Sequence, residues 1–397
     1  PRAAPHSFVT LAQAGAHPEI WRWIPAFAGM TAFVNGELLA HNQAGPRFMA
    51  RDPSRKVGIK DIAEAADVAV STVSHVLNGT APISAEVRER VLDAANALGY
   101  LARRREKAAI AVLRTVLLAV PTDTLPHSEL NLFSWTLLSA LTRECERRAI
   151  RVVPMEIDGP LMSGERIVEQ ARAAEVDGIL LLSEDRPDLL QDIAASKIPA
   201  VLMNGEDHEM QVDSVTPGNR FAARYATNWL IGQGHRHIMH LTWEGRSTVR
   251  RRRDGFLDAF RANGLPLSQA HLHLAKGYQP EYGAEAIRAW LDAHDGTMGD
   301  VTAIFCAADN LALGIMPVLT RAGLRLPQDI SIVGFDGVAL GEFTTPTLTT
   351  VSVPLEHMGP SALHLLEQRI INKALNPPAH RLELGCRLSI RGSVKGL

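Results

Sequence analysis

From residue 116 to the end of the chain, short aliphatic and β-branched runs alternate with longer amphipathic segments. No other feature restricts the fold as much. The short runs lie at 116–120, 151–157, 178–182, 200–203, 238–242, 303–307 and 330–335. Between them, apolar positions recur at helical spacing over 132–149, 219–231, 248–263, 282–294 and 310–322. Strands that alternate with helices close as parallel sheets covered on both faces, and such strands read as nearly continuous apolar runs. Some ~280 residues exceed what one core comfortably fills, so two doubly wound lobes are predicted over 115–397. In this architecture ligands bind beyond the carboxyl ends of the strands, here in a cleft between the lobes.

Residues 57–100 have a different texture. Ile62, Ala63 and Ala66 share one helical stripe, with Asp61 and Glu64 in the early turns. A break follows at 67–69, where Asp67 tolerates the left-handed region better than its neighbours. The pattern resumes over 70–78 with Val73, Val76 and Leu77 on one side and Ser71, Thr72, Ser74 and His75 on the other. Asn78 and Gly79 end that helix. Ser84 caps a third, whose Val87, Val91, Ala94 and Leu98 line one face until Gly99. Two short helices joined by about three residues, the second with small hydroxylic side chains outward, suit a major groove; the same spacing also suits any small helical bundle. Charge does not separate the two, since residues 51–107 hold ten Lys and Arg against eight Asp and Glu.

The run from Ile59 to Gly79 (IKDIAEAADVAVSTVSHVLNG), followed by RERVLDAANALGY from Arg88 to Tyr100, resembles the headpiece of the LacI/GalR family of bacterial repressors. The resemblance continues through DGILLL from Asp177, GHRHI from Gly234, ADNLALG from Ala308, IVGFD from Ile332 and TPTLTTV from Thr345. These segments are similar to the family's effector-binding and dimerisation core, and to periplasmic sugar-binding proteins. The resemblance implies a small all-α helix-turn-helix headpiece followed by an α/β two-lobed, periplasmic-binding-protein-like domain. It implies that Val70, Ser71 and His75 read bases, while Thr72, Ser74 and Asn78 face phosphates. Asp67 stands where the family's turn usually carries Gly, and Ala69 where a Ser cap is usual. His75 occupies a place often held by Arg, so the bidentate guanine contact is not available there.

The segment 101–114 corresponds to the family's hinge, which wedges a leucine into the minor groove. Arg103, Arg104, Arg105 and Lys107 would screen phosphates, with Ile110 or Leu113 as the wedge. The usual Pro-Asn pattern after the tyrosine is missing, which leaves a solvated basic linker as the alternative. In the cleft, the family pattern implies Arg250 and Asp336 as polar ligands of a sugar or similar effector, with Phe133 and Tyr278 as aromatic walls. A guanidinium fork and a carboxylate suit vicinal hydroxyls. Ala308 and Gly218 stand where the family usually has Asn and Asp, so the sugar itself is not named. The implied partners are operator DNA, a small-molecule effector and a second copy of the chain, with a tetramer left open.

Other function classes find little support. Three cysteines (Cys145, Cys306, Cys386), far apart, offer neither a disulfide framework nor a C-x-x-C metal site and fit a reducing, cytoplasmic setting. The longest apolar run is interrupted at Arg114, short of the ~20 residues that cross a bilayer. His235, His237 and His240 alternate faces of a strand, and no phosphate-loop, zinc-protease or nucleophile-elbow motif occurs; neither a metal nor a cofactor is expected. Residues 1–48 lack periodicity and an apolar signal core and begin with Pro1. They are expected to be a disordered leader, from an over-extended start or a flexible arm. The remaining alternatives to a ligand-controlled transcriptional regulator, expected to be a repressor, are a solute receptor of the same fold and an enzyme acting in the cleft.

Overall fold

A computed structural model describes residues 57–78, 83–101, 113–122, 132–159, 162–372 and 377–397. These fall into two compact units, a small one ending at Leu101 and a large one from Leu113 to Leu397. The expected leader and the linker residue Ile110 lie outside the described residues.

The described residues of the small unit include α1 (Ile59–Ala66), α2 (Val70–Asn78) and α3 (Ala85–Ala97). The Asp61 carboxylate accepts the Gly58 backbone N–H at 2.7 Å, satisfying one of the donors left open at the start of α1. Asp67 ends α1 in the left-handed conformation, with φ 52° and ψ 54°, as its tolerance of that region suggests. Ser84 caps α3 by accepting the Val87 N–H. Ile62, Ala63, Ala66, Val73, Val76, Val91 and Ala95 form one buried cluster, so each helix contributes its apolar stripe.

The large unit contains two six-stranded sheets. In chain order its elements begin with β1 (Thr115–Pro121), α4 (Leu132–Arg147), β2 (Arg151–Ile157), α5 (Gly164–Ala173) and β3 (Gly178–Leu182). There follow α6 (Pro187–Ala195), β4 (Ala200–Met203), β5 (Asp213–Pro217) and α7 (Asn219–Gly232). The second half runs β6 (Ile238–Thr242), α8 (Ser247–Ala262), β7 (Ala270–Leu274), α9 (Pro280–Ala293), β8 (Ala303–Cys306), α10 (Asp309–Arg321) and β9 (Ser331–Asp336). The chain ends with β10 (Thr349–Ser352), α11 (Leu355–Ile371), β11 (Arg381–Leu384) and β12 (Arg387–Ser389).

The first sheet has the order β11-β5-β4-β3-β1-β2, entirely parallel, and the second has β12-β10-β9-β8-β6-β7. Only β12 runs against its neighbour in the second sheet. Every residue of β3, β4, β6 and β8 is buried, the burial that the unbroken apolar runs require. The chain passes between lobes three times, at 217–219, 352–355 and 384–387, because α11 returns to pack on α4, β3, β4 and β5. Close helix packing in the second lobe depends on Gly255: a Cβ there would stand 2.1 Å from the Arg220 carbonyl oxygen, so any side chain forces α8 away from α7.

One linker expectation is corrected. Leu113 is fully buried in the core shared with Val116, Leu137 and Leu141, because it lies two residues before β1 and joins that strand's packing. It is thus a core residue of the large unit and is not available as a minor-groove wedge.

Candidate functional site

In the small unit the burial of α2 divides its side chains sharply. Val73 and Val76 are buried and Leu77 packs against them. Val70 is 38% exposed, Ser71 and His75 are exposed, and Thr72 and Ser74 are half-buried at the flanks. Asn78 is the last residue of α2. The face opposite the core therefore carries hydroxyls and one imidazole, groups that donate to phosphates and both donate to and accept from base edges.

In the large unit an open cavity lies at the carboxyl ends of the strands of both lobes. Ser183 follows β3 and Asn204 follows β4; Trp243 follows β6, Ala308 follows β8, and Asp336 ends β9. The first turn of α4 brings Phe133, the first turn of α8 brings Thr248 and Val249, and Tyr278 comes from the loop before α9. The Trp243 and Tyr278 rings lie 6.0 Å apart at 45°. Phe133, Tyr278 and Asp336 thus line one cavity, with Trp243 as a further aromatic wall.

The guanidinium in that cavity belongs to Arg252, not to Arg250. Arg250 is exposed, whereas Arg252 is 4% exposed. The helical register explains the difference: Val249, Arg252, Phe256 and Ala259 form the buried stripe of α8, and position 250 falls off it. Arg252 Nη1 donates to Asp336 Oδ1 at 3.0 Å and to the Ala307 carbonyl at 2.5 Å. Its Nε donates to Asn219 Oδ1 at 2.9 Å, and the guanidinium lies 3.8 Å from the centroid of the Phe335 ring.

This pair sits where the lobes are joined. Asn219 Nδ2 donates to the Pro217 carbonyl at the first crossover, and the Asp336 carbonyl accepts the Val353 N–H at the second. Asp336 itself has φ 123°, a strained conformation for a residue with a side chain. Burial pushes its carboxyl up to about 7, opposed by the charge of Arg252 and reinforced by that of Asp309. Asp309 is buried at the start of α10, and burial raises its carboxyl to about 6. It accepts the Thr350 hydroxyl at 2.5 Å and the Val338 N–H at 2.8 Å, which fixes the loop after β9 against the cavity.

Among the described residues no group of three or more His, Cys, Asp and Glu is placed to hold a metal ion, and no helix is long and apolar enough to cross a membrane. His240 is buried between Phe256 and Phe305, where burial lowers its imidazole to about 3, so it is a neutral core residue.

Residues 58–102 match the model of bacterial regulatory proteins of the lacI family, and 227–394 match that of a periplasmic binding protein-like domain. The HTH-type transcriptional repressor PurR of Erwinia tasmaniensis is 30% identical over 327 residues, spanning 79% of this chain and 91% of that protein. The ribose operon repressor of Haemophilus influenzae is 28% identical over 332 residues, 83% of this chain and 97% of that protein. Among solved structures, a complex of the transcriptional regulator CelR with cellobiose has a TM-score of 0.61 and 28% identity, covering 85% of this chain and 100% of that one.

Proposed function

The chain belongs to the LacI family of bacterial regulatory proteins and is a DNA-binding transcriptional regulator with a small-molecule effector, and from that premise we propose how it reads DNA and senses its ligand. It acts as a cytoplasmic repressor. Val70, Ser71 and His75 reach base edges in the major groove, while Thr72, Ser74 and Asn78 approach phosphates. A two-fold dimer reads two half-sites about one helical turn apart or a multiple of it. The edge strand β7, with Leu272 45% and Leu274 54% exposed, supports a subunit surface on the second lobe.

The observation that carries the effector reading is the buried Arg252–Asp336 pair, set between aromatic walls and tied to two of the crossovers. An effector bearing vicinal hydroxyls, a sugar or a derivative, donates to Asp336, accepts from Arg252 and stacks on Trp243 or Tyr278. Phe133, Ser183 and Asn204 of the first lobe line the same cavity, so occupancy favours one lobe arrangement over another and changes operator affinity. Retardation of upstream DNA of the gene's own neighbourhood, across a panel of sugars, tests this. The expected result is a specific shift that at least one sugar weakens or strengthens. A chain that never discriminates operator from random DNA refutes the reading.

The titration of Asp336 gives a second test. Its folded value of about 7 lies above the ordinary 3.8, so the protonated form is favoured in the folded chain. Without effector, its contribution to stability is therefore full below about pH 4 and is lost as pH rises towards 7. Hydroxyl recognition requires the ionised form. Effector affinity is expected to rise about tenfold between pH 6 and pH 8 and then level off. Quenching of Trp243 fluorescence follows it, and Asp336→Asn should flatten the profile.

A further inference from the structure

We propose that Glu206 is a positioning residue that clasps the two lobes together and so sets how strongly the effector cavity responds. This proposal rests on the effector reading above. Glu206 lies in the loop after β4, in the first lobe, and is 2% exposed, yet it does not line the cavity. Its carboxylate accepts Arg251 Nε of α8, in the second lobe, at 3.0 and 3.3 Å. Arg381 of β11, three residues before the third crossover, stands 3.6 Å from the same carboxylate. One buried anion thus gathers a cation from the opposite lobe and a cation from the strand that leads into the crossover.

The loop that carries Glu206 is built to hold it in place. Asn204 adopts the left-handed conformation, with φ 52°. A Cβ on Gly205 would stand 2.5 Å from the Glu184 carbonyl oxygen, so the backbone can hug β3's exit only with glycine there. The Asp207 carboxylate accepts three backbone N–H groups, from Glu209, Gln211 and Val212. Parallel bonds reinforce the crossing: Asp185 Oδ1 accepts the Glu206 N–H at 2.9 Å, and its Oδ2 accepts the Ser247 N–H at the start of α8 at 2.8 Å. Arg246, which does line the cavity, donates to the Asn204 carbonyl.

Adjacent residues of α8 therefore face different partners. Arg252 turns into its own lobe towards Asp336, and Arg251 reaches across to Glu206. Any displacement of α8 that the effector causes through Arg252 and Thr248 is transmitted to the clasp, and the clasp in turn fixes where α8 presents those groups. An ion pair removed from water on one side loses much when a single partner is deleted, because the other charge stays desolvated.

Small-angle scattering of the full-length protein and titration with the sugar panel test the proposal together, using Glu206→Gln, Arg251→Gln and the double variant. Glu206→Gln and Arg251→Gln are each expected to increase the radius of gyration and to change effector affinity by about tenfold, within the ~5- to 150-fold range of such couplings. The double variant should add little to either single one, and Arg251→Lys should recover most of the loss. Unchanged dimensions in both single variants, or effects that simply add, would overturn the clasp. A wild-type chain that no sugar affects refutes the effector reading instead, and the scattering arm still decides whether Glu206 holds the lobes.

Discussion

Arg252→Met is expected to lower the stability of the large unit by about 3–5 kcal/mol and to abolish the effector response. The side chain is buried and makes four distinct contacts, with Asp336, Asn219, the Ala307 carbonyl and the Phe335 ring. Met fills much of the aliphatic volume, so the loss comes from the polar groups left behind. The Asp336 carboxyl, already raised to about 7 with Arg252 beside it, loses the cation that opposes burial and becomes neutral near physiological pH. The Asn219 amide oxygen and the Ala307 carbonyl each lose a donor, and unsatisfied buried acceptors cost about 1–3 kcal/mol apiece. Combining Arg252→Met with Asp336→Asn removes both charges and is expected to recover stability without recovering effector binding. Arg252→Lys keeps the charge and loses the fork, so it should fold better than Arg252→Met and still bind poorly. Thermal melts with and without sugar separate the two effects. An Arg252→Met protein whose melting temperature still responds to the effector as the wild type does would remove Arg252 from the binding site.

Physical reasons divide what the sequence makes legible from what it hides. Strands β3 and β4 have the boundaries their apolar runs suggest, because a strand covered on both faces is apolar along its length; β6 and the half-buried edge strand β2 keep their expected bounds as well. By contrast β5 reads DSVTP and is wholly buried despite its polarity. Its charge is satisfied at the start of the strand, where Asp213 takes a bidentate contact from Arg369 and accepts the His380 N–H. Strands β11 and β12 are short edge elements of four and three residues, held by pairing with β5 and β10 rather than by any local pattern. The cavity shows the same division. Asp336 follows from the family pattern and Phe133 and Tyr278 are legible as aromatic walls, whereas the choice among four consecutive arginines requires the phase of α8. The stripe through Val249, Phe256 and Ala259 carries that phase, and it selects Arg252. Leu113 illustrates the opposite error, since an apolar residue at the end of a basic linker serves a wedge and a core equally well until the next strand is placed.

Ser71→Ala combined with His75→Ala is expected to remove operator discrimination by about 30- to 10⁴-fold while leaving the headpiece folded. Both residues lie on the exposed face of α2, opposite Val73 and Val76, so their truncation touches neither core residue and should change stability by no more than about 0.5 kcal/mol. A lost base contact costs about 1–3 kcal/mol and a dimer on a two-fold operator makes it twice, so losing just one of the two contacts in each half-site already gives the ~2–6 kcal/mol behind that range. Non-specific affinity and the salt dependence of binding should stay close to wild type, since neither change removes a cation that neutralises a phosphate. His75→Arg is expected to act differently. The guanidinium offers two parallel donors in place of the imidazole, so the preferred base at one position of each half-site should move towards guanine with overall affinity retained. Selection of binding sites from random DNA distinguishes these outcomes. A consensus that is the same for the wild type and for His75→Arg would show that α2 does not present this face to the bases, and the DNA-reading assignment of Ser71 and His75 would fall with it.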